Sequence, residues 1–334
     1  MHKLIQLKKW LNKTLDVKNT SSLSLTPLKG DASFRRYYRV NFKNITYVAV
    51  YSPPSTENNA GFIKISQAFL KIKLNVPEVY AHDLNQGFML LADFGDNVLL
   101  HSLNHQEANH SYFYHQSLYE LSKIQKIQLP LNHFDKDFMH NECENFKQWF
   151  LDKHLQIPSS SYEKLIDPVI ELLLESAQSQ PQCVIHRDYH SRNLMILNEN
   201  GIGILDFQDA MIGPITYDLV SLLRDCYFDL PKQKVKELSL NFYQQHLKET
   251  IPDSNDFTRY FDFMGIQRHL KACFIFARKY HRDKVPNYLG DIPRTLNYIY
   301  QVSEKYAELT SFQKFIGDCF SQLPTIHQPK DLHD

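Results

Sequence analysis

The sequence contains few glycines and lacks the glycine-rich motifs of two common nucleotide-binding sites. Glycine accounts for 10 of its 334 residues. No G-x-x-x-x-G-K-S/T segment occurs, so a P-loop ATPase or P-loop kinase is excluded. Gly201 and Gly203 begin a G-x-G, but the third glycine position of a dinucleotide-binding fingerprint is occupied by Asp206. A phosphate-binding site in this chain therefore needs a different arrangement of residues.

Charge, cysteine usage and hydropathy exclude further classes of protein. The 37 basic and 37 acidic residues cancel, so the net charge gives no reason to expect a nucleic-acid partner. The five cysteines form no C-x-x-C pair, and their odd number suits reduced, mostly buried thiols. No apolar run is long enough to span a bilayer, and the N-terminus lacks the apolar core of a signal peptide. We therefore expect a cytoplasmic protein without a membrane span; its oligomeric state is not predicted.

Hydrophobic periodicity divides the chain into a β-rich part followed by a helical part. Two runs rich in aromatic and β-branched residues flank Lys43-Asn44, and two more follow a segment with apolar residues at helical spacing from Phe62 onward. These patterns predict an α+β fold with two lobes. The smaller, β-rich N-lobe has one main helix and covers residues 1–93, and the larger, mostly helical C-lobe covers residues 94–334.

The stretch VIHRDYHSRNLMILNENGIGILDF contains a predicted hairpin, because strand-like sequences flank NENG and Asn-Gly is the preferred centre of a type I′ turn. With Asn200 and Gly201 in that centre, Met195 faces Asp206 across the pair. Asn193 is then a same-face diagonal neighbour of Asp206, about 7–8 Å away between Cα atoms. An amide oxygen and a carboxylate are suitable ligands for Mg²⁺ when phosphates and water complete its shell.

The same stretch contains the kinase motif H-R-D-x-x-x-x-N, in which the Asp is Asp188 and the Asn is Asn193. In this motif the Asp accepts the proton of the substrate hydroxyl and the Asn binds metal, while a later Asp-Phe, here beginning at Asp206, holds Mg²⁺ between phosphate oxygens. The three functional positions occur in the required order. We therefore predict Asp188 as the catalytic base and Asn193 and Asp206 as ligands of Mg²⁺.

A metal hydrolase is the competing interpretation of these residues. His186, Asp188 and His190 form H-x-D-x-H, and such alternation can place metal ligands on one face. However, no second histidine-rich cluster completes such a site, and this interpretation leaves Asn193 and Asp206 without a role. Phosphoryl transfer accounts for more of the motif.

HRDYHSRN, with His190 two positions after Asp188, resembles the aminoglycoside phosphotransferase and choline kinase superfamily. Its members share the protein-kinase-like fold and phosphorylate small molecules. GPITYDLVSLLRD resembles the segment that follows the metal-binding Asp in these enzymes, where the residue at the position of Asp218 steadies the catalytic loop. The resemblance thus implies a protein-kinase-like fold here, with structural support of the loop by His186 and Asp218.

GDASFRRYYRV, LLADFGD and QRHLKACFIFARKYHRDKVPNYLGDIPRTLNYI extend the resemblance to the bacterial anomeric kinases of N-acetylmuramate and N-acetylglucosamine. This implies ATP and Mg²⁺ as cofactors and phosphorylation of an amino sugar at its anomeric hydroxyl during peptidoglycan recycling. Another small acceptor, such as an aminoglycoside, choline or a different sugar, remains an alternative, as does a non-catalytic binding module of kinase fold. A protein acceptor is disfavoured because no A-P-E segment follows Asp206.

One departure from the kinase pattern concerns the lysine that holds the nucleotide phosphates. The second predicted strand reads V-A-V-Y where protein kinases have V-A-I-K, so Tyr51 occupies the lysine position, and the helix that follows has no acidic partner for such a lysine. Another cation is expected to contact the phosphates, and the candidates are Arg35, Arg36, Arg39 and Lys64. The predicted nucleotide-binding residues are Ser33, Arg35, Arg36, Leu91 and Asp93.

Acceptor-binding residues are predicted from side-chain type and proximity to the motif. Carboxylates, amides and an aromatic face are normal sugar-binding groups, and several polar residues lie near the metal-binding Asp in sequence or on a helix that could line the cleft. The predicted set is His190, Gln208, Asp209, Arg224, Asp225 and Glu142.

Overall fold

The computed structural model describes residues 2–17, 23–28, 34–105, 109–197 and 201–323. The chain forms two compact units, one of residues 1–102 and 193–209 and one of residues 103–192 and 210–334. The predicted boundary after residue 93 thus lies inside the first unit, which also includes a segment that the prediction placed in the C-lobe. Within the described residues, no helix has both the length and the apolar character needed to cross a bilayer.

The first unit is built on an antiparallel sheet with the strand order β1-β2-β3-β5-β4. The strands are Leu25–Pro27 (β1), Arg36–Phe42 (β2), Ile45–Tyr51 (β3), Val79–Asp83 (β4) and Phe88–Ala92 (β5). The helices are His2–Thr14 (α1), Asn59–Lys71 (α2) and Leu99–His105 (α3), the last of which crosses the unit border. The predicted turn is confirmed, since Lys43 and Asn44 have φ values of 51° and 63°, as a type I′ turn requires.

The second unit is mostly helical, with one short antiparallel strand pair. Its helices are His110–Lys126 (α4), Lys136–Asn145 (α5), Glu163–Ser179 (α6), Tyr217–Leu223 (α7), Lys232–Phe242 (α8), Ser254–Asp283 (α9), Ile292–Ser303 (α10) and Thr310–Ser321 (α11), with a π-helical segment Phe146–Leu155 after α5. Strands Gln182–Ile185 (β6) and Met211–Pro214 (β9) pair with each other. The predicted α+β class, with a β-rich part and a mostly helical part, is confirmed.

The predicted hairpin is present as strands Leu194–Ile196 (β7) and Ile202–Ile204 (β8), but its predicted register is wrong. Met195 pairs with Gly203 and not with Asp206. The Leu197 N–H donates to the Gly201 C=O at 2.9 Å, which places Gly201 in the ladder and not in the centre of a two-residue turn. Asn200, the other predicted turn residue, lies outside the described residues.

Contacts from outside the hairpin explain both its register and its place in the first unit. The Ile204 N–H donates to the Asn75 C=O at 2.8 Å, and the Ile196 N–H donates to the Asn97 C=O at 2.8 Å. Each hairpin strand is therefore tied to backbone of the first unit. These long-range hydrogen bonds outweigh the local preference of Asn-Gly for a tight turn, because a change of register would break them.

Candidate active site

The backbone that carries the H-R-D motif follows β6 in the second unit and is held by the buried carboxylate of Asp218 on α7. Asp218 Oδ2 accepts a hydrogen bond from the His186 N–H at 2.5 Å, and Oδ1 accepts one from the Arg187 N–H at 3.0 Å. Arg187 has a φ of 76°, a left-handed conformation that costs a non-glycine residue roughly 1–3 kcal/mol. Asp218 thus stabilises a strained backbone directly before Asp188.

Replacing Asp218 with Asn is expected to lower Tm and to reduce kcat in any transfer assay. Asn can accept only one of the two N–H groups and turns its own NH₂ toward the other. One buried donor then lacks an acceptor, at a cost of about 2–3 kcal/mol. Thermal unfolding followed by circular dichroism measures the effect, with Asp256→Asn, an exposed carboxylate in the first turn of α9, as the control. An unchanged Tm in the Asp218 variant would contradict this role.

Asp188 is accompanied by a buried cation that comes from a distant part of the chain. Lys271 Nζ on α9 lies 3.7 Å from Asp188 Oδ1, and the Asp188 side chain is 39% exposed whereas that of Lys271 is 8% exposed. Lys271 also donates a hydrogen bond to the Tyr217 hydroxyl at 3.1 Å. The Asp188 carboxylate therefore lies next to the buried ammonium group of Lys271 and is still accessible to a substrate.

This pairing sets the protonation state of both groups. Burial alone would raise the pKa of Asp188, but the surrounding positive charges, of which Lys271 is the strongest and Arg268 and Arg187 are others, together hold it well below its ordinary value. Burial alone would lower the pKa of Lys271, but Asp188, Tyr217 and Glu142 together raise it, with Asp188 the strongest of the three. Asp188 is therefore ionised and Lys271 protonated at neutral pH, as a general base next to a fixed positive charge requires.

Glu142 on α5 belongs to the same cluster. Its Oε1 accepts a hydrogen bond from Arg187 Nη2 at 3.3 Å and lies 3.8 Å from Lys271 Nζ, while its Oε2 accepts one from Gln267 Nε2 at 3.3 Å. Sequence reasoning proposed Glu142 only as an acceptor contact and missed Gln267 and Lys271. Their spacing of four residues on a helix whose buried side chains are mostly apolar was the available signal.

His190 is buried beside Asp188 but carries no charge. Burial lowers the pKa of His190 to about 4, although the carboxylates of Asp225 and Asp188 oppose the shift. Its ring meets that of Tyr227 edge to face at 5.0 Å, and its buried Nδ1 has no hydrogen-bond partner within the described residues. His190 therefore offers a neutral polar atom next to the catalytic loop, and the positive charge there comes from other residues.

Arg224 and Asp225, both predicted acceptor contacts, bind groups of the second unit itself. Arg224 pairs with the buried Asp262, and Asp225 accepts backbone hydrogen bonds from Ser191 and Tyr227, each at 2.8 Å. Asp225 thus shapes the end of the catalytic loop. A direct contact of either residue with an acceptor stays a prediction.

The two predicted metal ligands both lie at one end of the β7–β8 hairpin in the first unit. The Leu205 N–H donates to the Asn193 C=O at 2.9 Å, so the residue before Asp206 is paired with Asn193. Asp206 is exposed and has a φ of 62°, which turns its backbone out of the regular strand geometry. Its Oδ1 accepts a hydrogen bond from Gln208 Nε2 at 2.5 Å, whereas Asp209 is exposed.

This donor set fits Mg²⁺ in a phosphotransferase, since it consists of an amide oxygen and a carboxylate and leaves further positions to phosphate and water. A non-glycine residue in the left-handed region, as at Asp206, is often found at functional sites. Nowhere in the described ranges do three or more His, Cys, Asp or Glu side chains form a group able to hold a metal by themselves. The hydrolase interpretation therefore gains no support there.

The predicted nucleotide contacts of the first unit differ in their surroundings. Ser33 lies outside the described residues. Arg36 is exposed and Leu91 is buried in β5, opposite Val48. The Asp93 carboxylate accepts hydrogen bonds from Arg39 Nε at 2.6 Å and from the Gly95 N–H at 2.9 Å.

Arg39 is a candidate for the phosphate-binding cation, and its partners in the structure are two carboxylates and one backbone carbonyl. It pairs with Asp93 and also with Asp96, at 2.7 Å, and both carboxylates raise its pKa. These bonds fix the backbone that follows β5. Arg35, in contrast, is buried at 3% exposure close to the start of α2.

The phosphotransferase enzyme family matches residues 24–247 of this chain. An N-acetylmuramate/N-acetylglucosamine kinase from Pseudomonas putida is 36% identical over 301 residues, which are 88% of this chain and 88% of that protein. A protein of the same name from Neisseria meningitidis is 36% identical over 92% of this chain and 93% of its own length.

Among solved structures, the choline kinase LicA from Streptococcus pneumoniae has the same fold. The TM-score is 0.62 at 13% identity, and the alignment covers 89% of this chain and 99% of that protein. The matched residues include the H-R-D motif, Asn193 and the Asp-Phe that begins at Asp206. The fold implied by the resemblance to this family is the one observed. The chain belongs to the phosphotransferase enzyme family.

Proposed function

We propose that this chain is an ATP-dependent kinase that phosphorylates the anomeric hydroxyl of N-acetylmuramate and N-acetylglucosamine, as in peptidoglycan recycling. The carboxylate of Asp188, kept ionised by Lys271 and other nearby cations, carries the proposal of phosphoryl transfer. The choice of sugar rests on the relatives from Pseudomonas putida and Neisseria meningitidis, which are named for these two substrates.

In this proposal Asp188 accepts the proton of the acceptor hydroxyl as the oxygen attacks the terminal phosphorus of ATP, whose bond to the bridging oxygen breaks to release ADP. The carboxylate must be ionised at neutral pH for this step, and the charges of Lys271 and the other nearby cations favour that state. Lys271 and the bonds of Glu142 also limit how far the loop around Arg187 can move. Orientation of the hydroxyl and removal of its proton are thus supplied by one side chain in a fixed place.

Asn193 and Asp206 would hold Mg²⁺, which supplies charge neutralisation at the phosphate oxygens when it is bound. Gln208 keeps the Asp206 carboxylate in place through its hydrogen bond to Oδ1. His190 offers a neutral acceptor or donor of hydrogen bonds, and a sugar is rich in hydroxyl groups that can use it.

A panel of acceptors with ATP and Mg²⁺, followed by ³¹P NMR of the products, tests the proposal. We expect N-acetylmuramate and N-acetylglucosamine to give an acid-labile product whose phosphorus couples to the anomeric proton. Methyl glycosides of the same sugars, which lack the free anomeric hydroxyl, are the matched controls and should stay unmodified. Product from the methyl glycosides, or transfer only to choline or an aminoglycoside, would contradict the assigned acceptor.

A further inference from the structure

The strand position that holds a phosphate-binding lysine in protein kinases is used here for packing. The Tyr51 ring on β3 lies 5.9 Å from the Phe88 ring and packs against the same cluster as Leu7 and Leu11 of α1. Ala49, two residues earlier on the same face of the strand, belongs to that cluster as well. The side chain at position 51 is therefore part of the core beneath α1.

A positively charged side chain contacts Ser52, the residue after Tyr51, and it comes from the segment directly before β2. Arg35, directly before β2, donates from Nε to the Ser52 Oγ at 3.2 Å, and its Nη2 lies 3.2 Å from Glu57 Oε2. The Arg35 side chain is 3% exposed and that of Glu57 is 16% exposed. Ser52 is held in turn by Asn59 of α2, whose Nδ2 donates to the Ser52 C=O at 2.9 Å. The arginine is thus anchored to the end of β3 and to the start of α2.

The same arginine is connected to the metal-binding end of the hairpin. Its guanidinium carbon lies 5.3 Å from the centre of the Phe62 ring, and Phe62 stacks on Phe207, the residue after Asp206, at 4.9 Å. Arg35 and Phe207 therefore lie against the same phenylalanine ring within the first unit.

These contacts reproduce the parts of the lysine–glutamate ion pair of protein kinases with different residues. In those enzymes a lysine on the third strand pairs with a glutamate on the following helix and holds the phosphates. Here the cation precedes β2 and the carboxylate precedes α2, yet they meet at the end of β3. A search for an acidic residue inside α2 could not find this pair, because Glu57 lies before the helix begins.

We infer that Arg35 and Glu57 form the ion pair that replaces the missing lysine–glutamate pair, with Arg35 supplying the positive charge for the nucleotide phosphates and Glu57 positioning it. This inference rests on the proposed function, since it assigns the nucleotide side of that reaction. Arginine suits the place because its planar guanidinium can bind a carboxylate and a phosphate oxygen along different edges. Tyr51 then needs no role in nucleotide binding.

Titration of the purified full-length chain with ADP in the presence of Mg²⁺ by calorimetry tests the inference without phosphoryl transfer. We expect Arg35→Met to weaken ADP binding about tenfold or more, the usual size for loss of a charge-assisted contact. Glu57→Gln should weaken it less, and Arg35→Lys should recover part of the loss. Arg259→Met removes one partner of an exposed pair with Glu308 and is the matched control, expected to bind ADP as the wild type does.

Steady-state kinetics distinguish a specific loss of nucleotide binding from a general disturbance of the active site. The Arg35 and Glu57 variants should raise KM for ATP and leave KM for the acceptor unchanged, while Tyr51→Phe should change neither. Folded Arg35→Met protein with wild-type affinity for ADP would overturn the inference. An equal rise in both KM values would overturn it too; if Arg35→Met does not fold, Arg35→Lys and Glu57→Gln decide. Failure of the wild type to phosphorylate any acceptor would instead count against the proposed function, and ADP binding would still report on the ion pair.

Discussion

Replacing Asp188 with Asn is expected to lower kcat by about 10²–10⁴-fold, the range found when a general base is removed. Asn has nearly the same size, so it can still touch the acceptor hydroxyl, but it cannot accept the proton. Lys271 is the strongest of the positive charges that keep the Asp188 carboxylate ionised at neutral pH. The loss should therefore appear in kcat, with little change in the affinity for ADP.

Single-turnover assays and ADP titrations on one preparation measure these two quantities. Asp283→Asn alters a half-buried carboxylate at the end of α9 that is paired with Arg282, and it serves as the control, with expected wild-type kcat. Retention of more than about a tenth of the wild-type kcat in Asp188→Asn would refute Asp188 as the base, given the magnitude expected for base catalysis. Loss of ADP binding in parallel would show instead that the substitution disturbs more than the proton transfer.

The local parts of the candidate site could be predicted from the sequence because they depend on short-range spacing. Asp188, Asn193 and Asp206 lie on one loop and one hairpin, and a motif of a few residues is sufficient to identify them. The turn at Lys43-Asn44 was predictable for the same reason, since two left-handed residues are needed between two strands.

The parts that depend on the tertiary fold could not be predicted. Lys271 lies far from Asp188 in the chain, and helical spacing alone does not show which buried face of α9 meets the loop. The hairpin register failed in a similar way, because the hydrogen bonds of Asn75 and Asn97 decide it from outside the hairpin. Local propensity is outweighed wherever buried backbone groups must find partners elsewhere.

A protein kinase has one cation on its catalytic loop and one on a strand next to the phosphates, and this chain has no cation at either of these two sequence positions. The loop position that usually carries a lysine is His190, which is neutral, and a positive charge reaches the loop from Lys271. The strand position is Tyr51, and Arg35 reaches its neighbour Ser52. In each case a positive charge lies near the same element, although the residue that carries it comes from a different place in the sequence. A comparison of motif positions alone therefore underestimates the likeness to protein kinases.

Replacing Lys271 with Met is expected to lower kcat, most strongly in acidic solution, because Asp188 loses the strongest of the charges that keep it ionised and a protonated base contributes little to general base catalysis. In the wild type, Lys271 together with other nearby cations holds the pKa of Asp188 well below its ordinary value. Activity should therefore stay constant as the pH falls from neutral and decline only in strongly acidic solution. Without Lys271, burial is opposed only by the remaining cations such as Arg268 and Arg187, so the pKa of Asp188 rises and the acidic decline of kcat moves to higher pH.

The same substitution should reduce the free energy of unfolding, since Glu142 keeps a buried charge while its neighbouring cation is lost. We expect about 2–4 kcal/mol, slightly less than for a close buried ion pair, because the Lys271–Glu142 distance is 3.8 Å. Lys271→Arg keeps the charge and should retain the wild-type pH profile, and the double variant Lys271→Met with Glu142→Gln should recover stability without recovering activity. Lys314→Met, an exposed lysine of α11, is the control for loss of a charge. An acidic limb that does not move in folded Lys271→Met protein would show that Asp188 is kept ionised by groups other than this lysine.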